Sequence, residues 1–302
     1  TQMQAWLVQY QVLESHLRQI ETIDGAVSLQ NVNLAGPLFE PTRWQVKSTG
    51  ALKNVTLSSP QLPGRLTIAQ GRFNCDQNQL TVGKMNTQVG QSSFAGLSAK
   101  IKWDKAASVT VSTGESVVHL DEVYAWSKSH DRFKQNVKDV PALNGNLAFT
   151  NLKFEGPIGS KSNHDINLSG AIKKWHIHSA TFPTDIELNG GHLLWRRTRI
   201  DLQETDARFG TSSISGLTLG RQWGKIPLLD LSADSASIQI GELYPWLISF
   251  ETLAKMFKGY KATQGKLMLA DLAFKGPVGA SKAWQFRLAG DIQAMDLVSD
   301  SF

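Results

Sequence analysis

Two histidines on one predicted strand have a spacing that could bind a metal ion. His176 and His178 are two residues apart, so on an extended strand both side chains lie on the same face. Imidazole is a preferred ligand of zinc, copper, iron and nickel. Because the neighbouring sequence offers no obvious third ligand, we predict a solvated strand face, with no metal site and no other cofactor.

A short basic run could instead meet a phosphate group. Arg196, Arg197 and Arg199 could together hold phosphate oxygens through charge-assisted hydrogen bonds. The positions 120 residues earlier carry Asp76 and two glutamines, so the basic character does not recur. We predict a turn exposed to water for this run.

The residues that could make the chain an enzyme do not form a recurring set. The serine pairs at 92–93 and 212–213 lack a histidine and a carboxylate at recurring positions, which a hydrolase triad would require. No glycine pattern of the dinucleotide-binding or phosphate-loop type is present. The single cysteine, Cys75, is predicted to pack as an apolar side chain. The sequence thus predicts a protein that is not an enzyme.

Composition narrows the class of protein. The chain has 302 residues, is 41% hydrophobic and 19% charged, and carries a net charge of +5. These proportions predict a folded chain. Because Lys and Arg are spread along the sequence, a dedicated nucleic-acid groove is disfavoured, while an anionic membrane surface would not repel the chain. The sequence has no run of about 18 apolar residues that would span a bilayer as a helix.

One stretch of sequence occurs three times at a fixed spacing. Gly25, Gly145 and Gly265 each begin the pattern Gly-x-apolar-x-apolar-x-x-apolar-x-apolar-x-Gly-Pro, and successive copies are 120 residues apart. Serine, glutamate and tryptophan positions outside this pattern keep the same offset. A fixed period of this kind indicates a repeat protein.

The repeat divides the chain into predicted units. We expect the helical tail of a preceding repeat at residues 1–19, full repeats at 20–139 and 140–259, and the start of a further repeat at 260–302. Since the chain begins and ends part-way through a repeat, we expect it to be a piece of a longer protein.

Most of each repeat is predicted to be β-strand. Leu147 and Phe149, then Leu152 and Phe154, alternate in pairs, and the odd step between the pairs requires a bulge or a bend to keep both pairs on one face. The following Gly-Pro should end the strand, because proline cannot donate to the ladder. Short alternating runs separated by turn residues predict antiparallel, meandering pairing.

One helix per repeat is predicted, near residues 2–18, 121–137 and 241–257, where apolar residues recur at steps of three and four. Trp6, Trp126 and Trp246 should pack these helices on the sheet. One helix cannot cover the remaining strands. The apolar face must therefore be closed by the sheet itself, as a sandwich or barrel, or form a trough that meets another molecule.

Two further motifs accompany the repeated pattern: Trp-x-Phe-x-Leu-x-Gly-x-Ile at 284–292 and Leu-x-Ser-x-x-x-Pro at 57–63. Together, the three patterns resemble those of the AsmA-like proteins of Gram-negative envelopes. The resemblance implies a mainly β fold: an elongated, twisted and curved antiparallel sheet, or β-groove, built from repeats of about 120 residues with one short α-helix each. It implies a periplasmic location and a parent protein anchored in the inner membrane. It further implies that the groove holds phospholipid acyl chains in transit between inner and outer membranes, with membrane contact through other parts of the parent protein. It offers no catalytic residues.

The predicted lipid-lining surface consists of alternating apolar positions in the three copies. They are Val27, Leu29, Val32, Leu34, Leu147, Phe149, Leu152, Phe154, Ile166, Leu168, Ile186, Leu188, Leu267, Leu269, Leu272, Phe274, Phe286 and Leu288.

A second class of function stays open. The same alternation would serve a structural scaffold or spacer of the cell envelope whose core is dry and covered by the protein itself. The two designs differ in whether the apolar faces close over one another or line an open channel.

Overall fold

The computed structural model describes residues 20–37, 45–103, 107–130, 140–157, 165–180, 182, 184–248, 254–255, 260–278 and 283–299. Within these ranges the chain forms 16 strands, all in one sheet, and two helices. Every strand pair whose register is defined is antiparallel. The predicted mainly β, antiparallel class is confirmed.

The strands follow one another through the sheet almost in chain order. The first are β1 Thr22–Ala35, β2 Gln45–Ser58, β3 Leu66–Cys75, β4 Gln79–Val89, β5 Ser92–Lys102, β6 Ser108–Thr113, β7 Ser116–His119 and β8 Ala142–Pro157. The others are β9 Asp165–His178, β10 Ile186–Asn189, β11 His192–Arg196, β12 Arg199–Phe209, β13 Ser212–Gln222, β14 Leu228–Gln239, β15 Tyr260–Pro277 and β16 Gln285–Ser299. Only the short β7 and β11 lie off the main path. The predicted meander is confirmed.

Contacts divide the chain into two compact units. Unit 1 consists of Thr1–Ser127 and Ala148–Leu168, and unit 2 of Lys128–Leu147 and Ser169–Phe302. Strands β1 to β7 belong to unit 1 and β10 to β16 to unit 2, while β8 and β9 contribute residues to both.

Several strands have boundaries that are offset by 120 residues. This is so for the first residues of β2, β9 and β16, and for both ends of β4 and β12 and of β5 and β13. The offset fails where β3 is continuous but its counterpart is split into β10 and β11. The split occurs at Gly190 and Gly191, whose φ angles of +69° and +89° lie outside the strand region.

The odd step in the apolar pattern is accommodated by β-bulges. In β1 the register with β2 shifts between Gln30 and Asn33, and in β15 the register with β16 shifts between Ala270 and Leu272. The extra residues, Asn31 and Asp271, have positive φ angles of 53° and 68°. In these two copies of the repeated segment the odd step is therefore a bulge, one of the two arrangements predicted for the copy at 145–156. Gly-Pro ends both β8 and β15, also as predicted.

The two described helices are α1, Leu120–Ser129, and α2, Ile240–Leu247. Both are shorter than the predicted spans 121–137 and 241–257, because α1 is followed by a bend and α2 by a turn at Ile248. Pro245 lies inside α2, so position 245 donates no backbone hydrogen bond to the Gly241 carbonyl. Residues 131–139 and 249–253, and the helix predicted at 2–18 with Trp6, lie outside the described residues.

The helix tryptophans contact their own units without being fully buried. The Trp126 Nε1–H donates a hydrogen bond to the Pro60 carbonyl at 3.1 Å. The ring of Trp246 lies edge-on to Phe182, with centroids 5.5 Å apart. Both tryptophans are half-buried. The buried aromatic residue of α1 is Tyr124, and burial raises the pKa of its hydroxyl.

A glutamate in the first turn of each helix ties the helix to a hairpin of the sheet. The Glu122 carboxylate accepts the backbone N–H of Gln91, at 2.9 and 3.0 Å from its two oxygens. The Glu242 carboxylate accepts the backbone N–H of Thr211 at 2.8 Å and that of Ser212 at 3.2 Å. It also accepts both hydroxyls, at 2.8 and 2.6 Å.

The hydrogen bonds change the acidity of Glu242. Burial on its own raises the pKa of this carboxyl, but the hydrogen bonds from Ser212 and Thr211 favour the charged form and together hold the pKa below its ordinary value. The Ser212 hydroxyl also accepts the backbone N–H of Gln239 at 2.8 Å. The Ser92 hydroxyl likewise accepts the backbone N–H of His119, the residue before α1, at 3.0 Å, so both serines bond to the residue that precedes a helix.

Candidate lipid-contacting face

In unit 2 the apolar residues of successive strands line up across the sheet. One row runs Leu188, Ala207, Ile214, Ala236, Leu269 and Gly290, each residue directly opposite the next. A parallel row runs Leu202, Leu219, Leu231, Phe274 and Phe286. Side chains of directly paired residues lie on the same side of a sheet, so each row lies on one side. Leu231 and Phe274 pack against the cluster that contains Ala236 and Leu269, so the two rows form one apolar face.

Unit 1 has a face of the same kind. A row of directly paired residues crosses seven strands from β1 to β8. It runs Leu29, Gly50, Phe73, Val82, Ala99, Val111 and Phe154. At Gly50 the missing side chain leaves room for the Phe73 ring, whose atoms would collide with a Cβ there.

The opposite face of unit 2 is polar and is held by ion pairs. The Arg199 guanidinium contacts Asp201 at 2.6 Å and Asp230 at 3.5 Å, and Lys275 contacts Asp230 at 3.5 Å. These side chains reach across β13 above Gly220, where a Cβ would meet the Arg199 guanidinium at 2.5 Å. The two faces of the sheet thus differ in polarity, as alternation predicts.

The structure separates the predicted lining residues by burial. The buried ones are Leu147, Phe149, Leu168, Leu188, Leu269 and Leu272. Half-buried ones are Leu152, Phe154, Ile166, Ile186, Leu267 and Phe274. The exposed ones are Val27, Leu29, Val32, Leu34, Phe286 and Leu288. Since a buried side chain has no surface to offer a ligand, contact with a lipid in this conformation is limited to the last two groups.

The exposed residues form one strip in each unit. The unit 1 strip consists of Val27, Leu29, Val32, Leu34 and Val46 on β1 and β2. The unit 2 strip consists of Phe286, Leu288, Ile292 and Met295 on β16. Val46 corresponds to Ile166 of the predicted lining, 120 residues later. Sequence reasoning left out Ile292 and Met295, although Ile292 continues the alternation of its strand.

Part of the unit 2 face is covered by the protein itself. Phe182 contacts Phe209 edge-on, with ring centroids 5.1 Å apart, and meets Trp246 of α2 on its other side. Leu243 of α2 packs on the same cluster, which includes Leu269. In unit 1 a smaller cluster forms around Val55, Ile68 and Met85. The interior strands therefore bury their apolar face against neighbouring protein.

The hollow beside α2 has polar and charged side chains in its lining. It has a volume of 540 Å³ and is lined in part by Thr211, Gln239, Glu242 and Lys266. Acyl chains gain nothing from polar walls, because burying polar groups without hydrogen bonds costs free energy. This hollow is therefore no part of the candidate face.

The histidine pair lies on the polar side of the sheet with carboxylate partners. His178 Nδ1 is 2.5 Å from Asp185 Oδ1, and His176 Nδ1 is 3.4 Å from Glu187 Oε1. All four side chains are substantially exposed. In the described part of the chain, no group of three or more His, Cys, Asp or Glu residues is arranged to hold a metal ion.

The basic run and the cysteine occupy places close to those expected. Arg196 and Arg197 are exposed at the turn between β11 and β12, as predicted, while Arg199 is held by its two aspartates. Cys75 is half-buried at the end of β3. Burial first, and then the nearby charge of Asp76, raise the pKa of this thiol, which disfavours the reactive thiolate.

Comparisons with known proteins give no relative. A scan against protein-family models found no match, and searches of curated proteins and of solved structures found none either. Within the described ranges, neither helix combines the length and the apolar character needed to cross a bilayer.

Proposed function

We propose that the chain is a non-enzymatic, lipid-binding groove of the AsmA-like type. In this proposal it is one section of a periplasmic bridge that moves phospholipid between the inner and outer membranes, in a parent protein anchored in the inner membrane. The acyl chains lie on the apolar faces, and the headgroups remain in water.

The proposal includes a repeated architecture. Its support is the offset of 120 residues in the boundaries of several strands, together with the glutamates of α1 and α2, which bond to hairpin turns at 90–92 and 210–212. Gly25, Gly145 and Gly265 also share φ angles between 121° and 130°. Repeats of this kind would carry the same apolar alternation in each repeat.

The observation that carries the lipid proposal is the exposure of the two strips. Leu29 is 61% exposed in the unit 1 strip and Phe286 is 74% exposed in the unit 2 strip. Both continue rows of apolar residues that run through the sheet. A water-soluble surface rarely leaves contiguous apolar side chains open unless another molecule covers them.

A structural scaffold is the second candidate, and burial in the interior favours it. Phe149 is 3% exposed and Leu272 is 6% exposed, so these positions are already covered by protein. In a scaffold the strips would be covered by polypeptide, and no lipid would accompany the protein.

Photo-crosslinking from adjacent positions of β16 distinguishes the candidates. A photoreactive residue at 286 or 288 lies on the apolar face, whereas one at 285 lies on the opposite face of the same exposed strand. We expect phospholipid adducts, identified by mass spectrometry, from 286 and 288 and not from 285. In unit 1 the matched probe positions are residue 29, on the apolar face of β1, and residue 28, on its opposite face.

Two results, obtained together, would favour the scaffold function over the lipid-binding function. Extraction of the purified chain would yield no phospholipid, and the probes at 286, 288 and 29 would give no more adduct than their controls at 285 and 28. Adduct at all five positions would indicate unspecific contact with lipid and would also count against a lined groove.

A further inference from the structure

One end of the sheet in unit 2 brings three chain segments side by side. The turn between β11 and β12 is joined to the loop after β13 by a hydrogen bond from the Trp223 N–H to the Thr198 carbonyl, at 2.8 Å. That loop is joined to the end of β15 by a hydrogen bond from the Val278 N–H to the Pro227 carbonyl, also at 2.8 Å. The three segments therefore form a continuous edge. This edge, which comprises residues 195–200, 221–229 and 278, is here named the tryptophan rim.

The tryptophan rim exposes large apolar side chains. Trp195 and Trp223 are 36% and 38% exposed, Val278 is 45% exposed and Ile226 is 68% exposed. The strips described above lie on strands, but these residues lie at strand ends and in loops. Their exposed side chains are therefore available to contact a surface outside the protein.

The same edge is strongly basic. Residues 195–200 and 221–229 contain five cationic side chains and no acidic one. The five are Arg196, Arg197, Arg199, Arg221 and Lys225. Of these, Arg199 is bound by Asp201 and Asp230, and the Arg221 guanidinium lies 5.9 Å above the Trp223 ring. Arg196, Arg197 and Lys225 are exposed to solvent.

We propose that the tryptophan rim docks on the anionic surface of a phospholipid bilayer. Tryptophan favours the boundary between headgroups and acyl chains, because its ring is apolar and its N–H is polar. Arginine and lysine beside it meet the lipid phosphates. The pairing of Arg221 with Trp223 keeps a cation at the depth of the ring.

The charge complementarity selects a membrane as the partner. A protein partner would have to supply acidic groups in a matching pattern, whereas an anionic leaflet presents negative charge at every point of contact. This docking concerns an intact bilayer surface, and it does not depend on whether the strips hold acyl chains.

Unit 1 contains a natural counterpart without the basic character. The positions that precede the Trp195–Arg199 segment by 120 residues carry Cys75, Asp76, Gln77 and Gln79 in place of Trp195 and the three arginines. Trp103, the counterpart of Trp223, is 40% exposed, and its Nε1–H donates to the Gln77 carbonyl at 2.5 Å. Only the tryptophan at 103 and 223 is shared, and Lys225 corresponds to Lys105, so Trp195 and the arginines distinguish the two edges.

Co-sedimentation of the whole chain with vesicles tests the proposal. One vesicle preparation contains phosphatidylcholine only, and the other contains equal amounts of phosphatidylcholine and phosphatidylglycerol. We expect binding to the anionic vesicles, weakened by added salt. The double variant Arg196→Gln/Lys225→Gln should bind about 25-fold more weakly, since each cation near such a surface contributes about fivefold.

Matched variants control for charge and for aromatic content. Lys84→Gln/Lys173→Gln removes the same charge from exposed positions elsewhere and should leave binding nearly unchanged. Trp223→Ala/Ile226→Ser should weaken binding, whereas Trp103→Ala in unit 1 should not. Circular dichroism of each variant verifies that the sheet is retained.

Three results would overturn the docking proposal. The first is equal binding to both kinds of vesicle, and the second is equal loss of binding in the two charge variants. The third is loss of vesicle binding only in Phe286→Ser/Leu288→Ser, which would assign membrane contact to the unit 2 strip. Failure of the crosslinking experiment, in contrast, would remove the groove proposal and leave the docking result intact.

Discussion

Strands β15 and β16 carry the same kinds of side chain on the same face, yet differ in burial. Leu272 lies directly opposite Leu288, and Phe274 lies directly opposite Phe286. Leu272 is 6% exposed, whereas Leu288 is 53% and Phe286 74% exposed. Among the described residues, β15 has a strand on each side, and β16 has one neighbour only. Burial therefore depends on the neighbours of a position and not on its residue type.

This comparison bears on both candidate functions. The pattern that builds a covered core in β15 leaves an open apolar surface one strand later. A scaffold needs only a covered apolar core, whereas a lipid groove also needs an open apolar surface. Experiments that pair a buried position with an open one of the same type can therefore test the structure before any lipid is identified.

The largest expected contrast comes from the paired leucines. Leu272→Ala should lower the free energy of unfolding by about 2–5 kcal/mol, because it removes a buried side chain and leaves a cavity. Leu288→Ala should change it by less than about 0.5 kcal/mol, as is usual for surface substitutions. Urea unfolding followed by circular dichroism measures both. Equal losses in the two variants would show that β16 is covered in solution.

Two adjacent glycines extend the comparison to the backbone. Gly190 and Gly191 both have positive φ angles, which an alanine adopts at a cost of about 1–2 kcal/mol. A Cβ at Gly190 would meet nothing within 4 Å, whereas one at Gly191 would collide with the fully buried Thr205. Gly191→Ala should therefore destabilise unit 2 by about 1–3 kcal/mol more than Gly190→Ala.

Thermal or urea unfolding of the two glycine variants gives this difference directly. Equal destabilisation would mean that the chain moves freely around Thr205, contrary to the packing of the β10–β12 region.

The two helix-anchoring glutamates give a smaller contrast. Glu242→Gln removes a charged acceptor of four hydrogen bonds and should cost about 1–2 kcal/mol, a value reduced because the carboxylate is only half-buried. Glu122→Gln loses an acceptor of one backbone N–H and should cost less. Chemical unfolding curves of both variants test the order. A larger loss for Glu122→Gln would contradict it.

The smallest expected effect is a pH dependence at Glu242. Its folded-state pKa is below the ordinary value of 4.5. The charged form therefore contributes stability that is fully present above that value and is lost as the pH falls through the lowered pKa. The difference in stability between the parent chain and Glu242→Gln should shrink as the pH is lowered from neutral to below 4.5. A difference that stays constant across this range would exclude the carboxylate as its source.

Local sequence features predicted the strand architecture well. Alternation gave antiparallel strands, the odd step gave the bulges at Asn31 and Asp271, and Gly-Pro gave the strand ends. Each depends on a few neighbouring residues and on backbone geometry, so it can be inferred without knowing the fold. The helices α1 and α2 end earlier than predicted, at Ser129 and Leu247, while residues 254–255 of the second predicted span are helical.

The role of Glu122 and Glu242 was missed although a signal existed. Both glutamates, and the serines at 92 and 212, keep the offset of 120 residues. The contact joins residues about 30 positions apart, and only the folded chain brings them together. The same holds for the tryptophan rim, where Trp195, Trp223 and Val278 meet through hydrogen bonds between separate turns.

The sequence by itself determined the class of fold, the faces of the strands, and the odd step and Gly-Pro end of the repeated segment. These follow from the two-residue period of a strand and from the backbone limits of glycine and proline. Only the tertiary structure decided which apolar residues are covered and which are open. Leu272 and Leu288 have the same side chain in the same alternating pattern, and their exposure differs because one has protein packed around it and the other lies on a strand with a single neighbour.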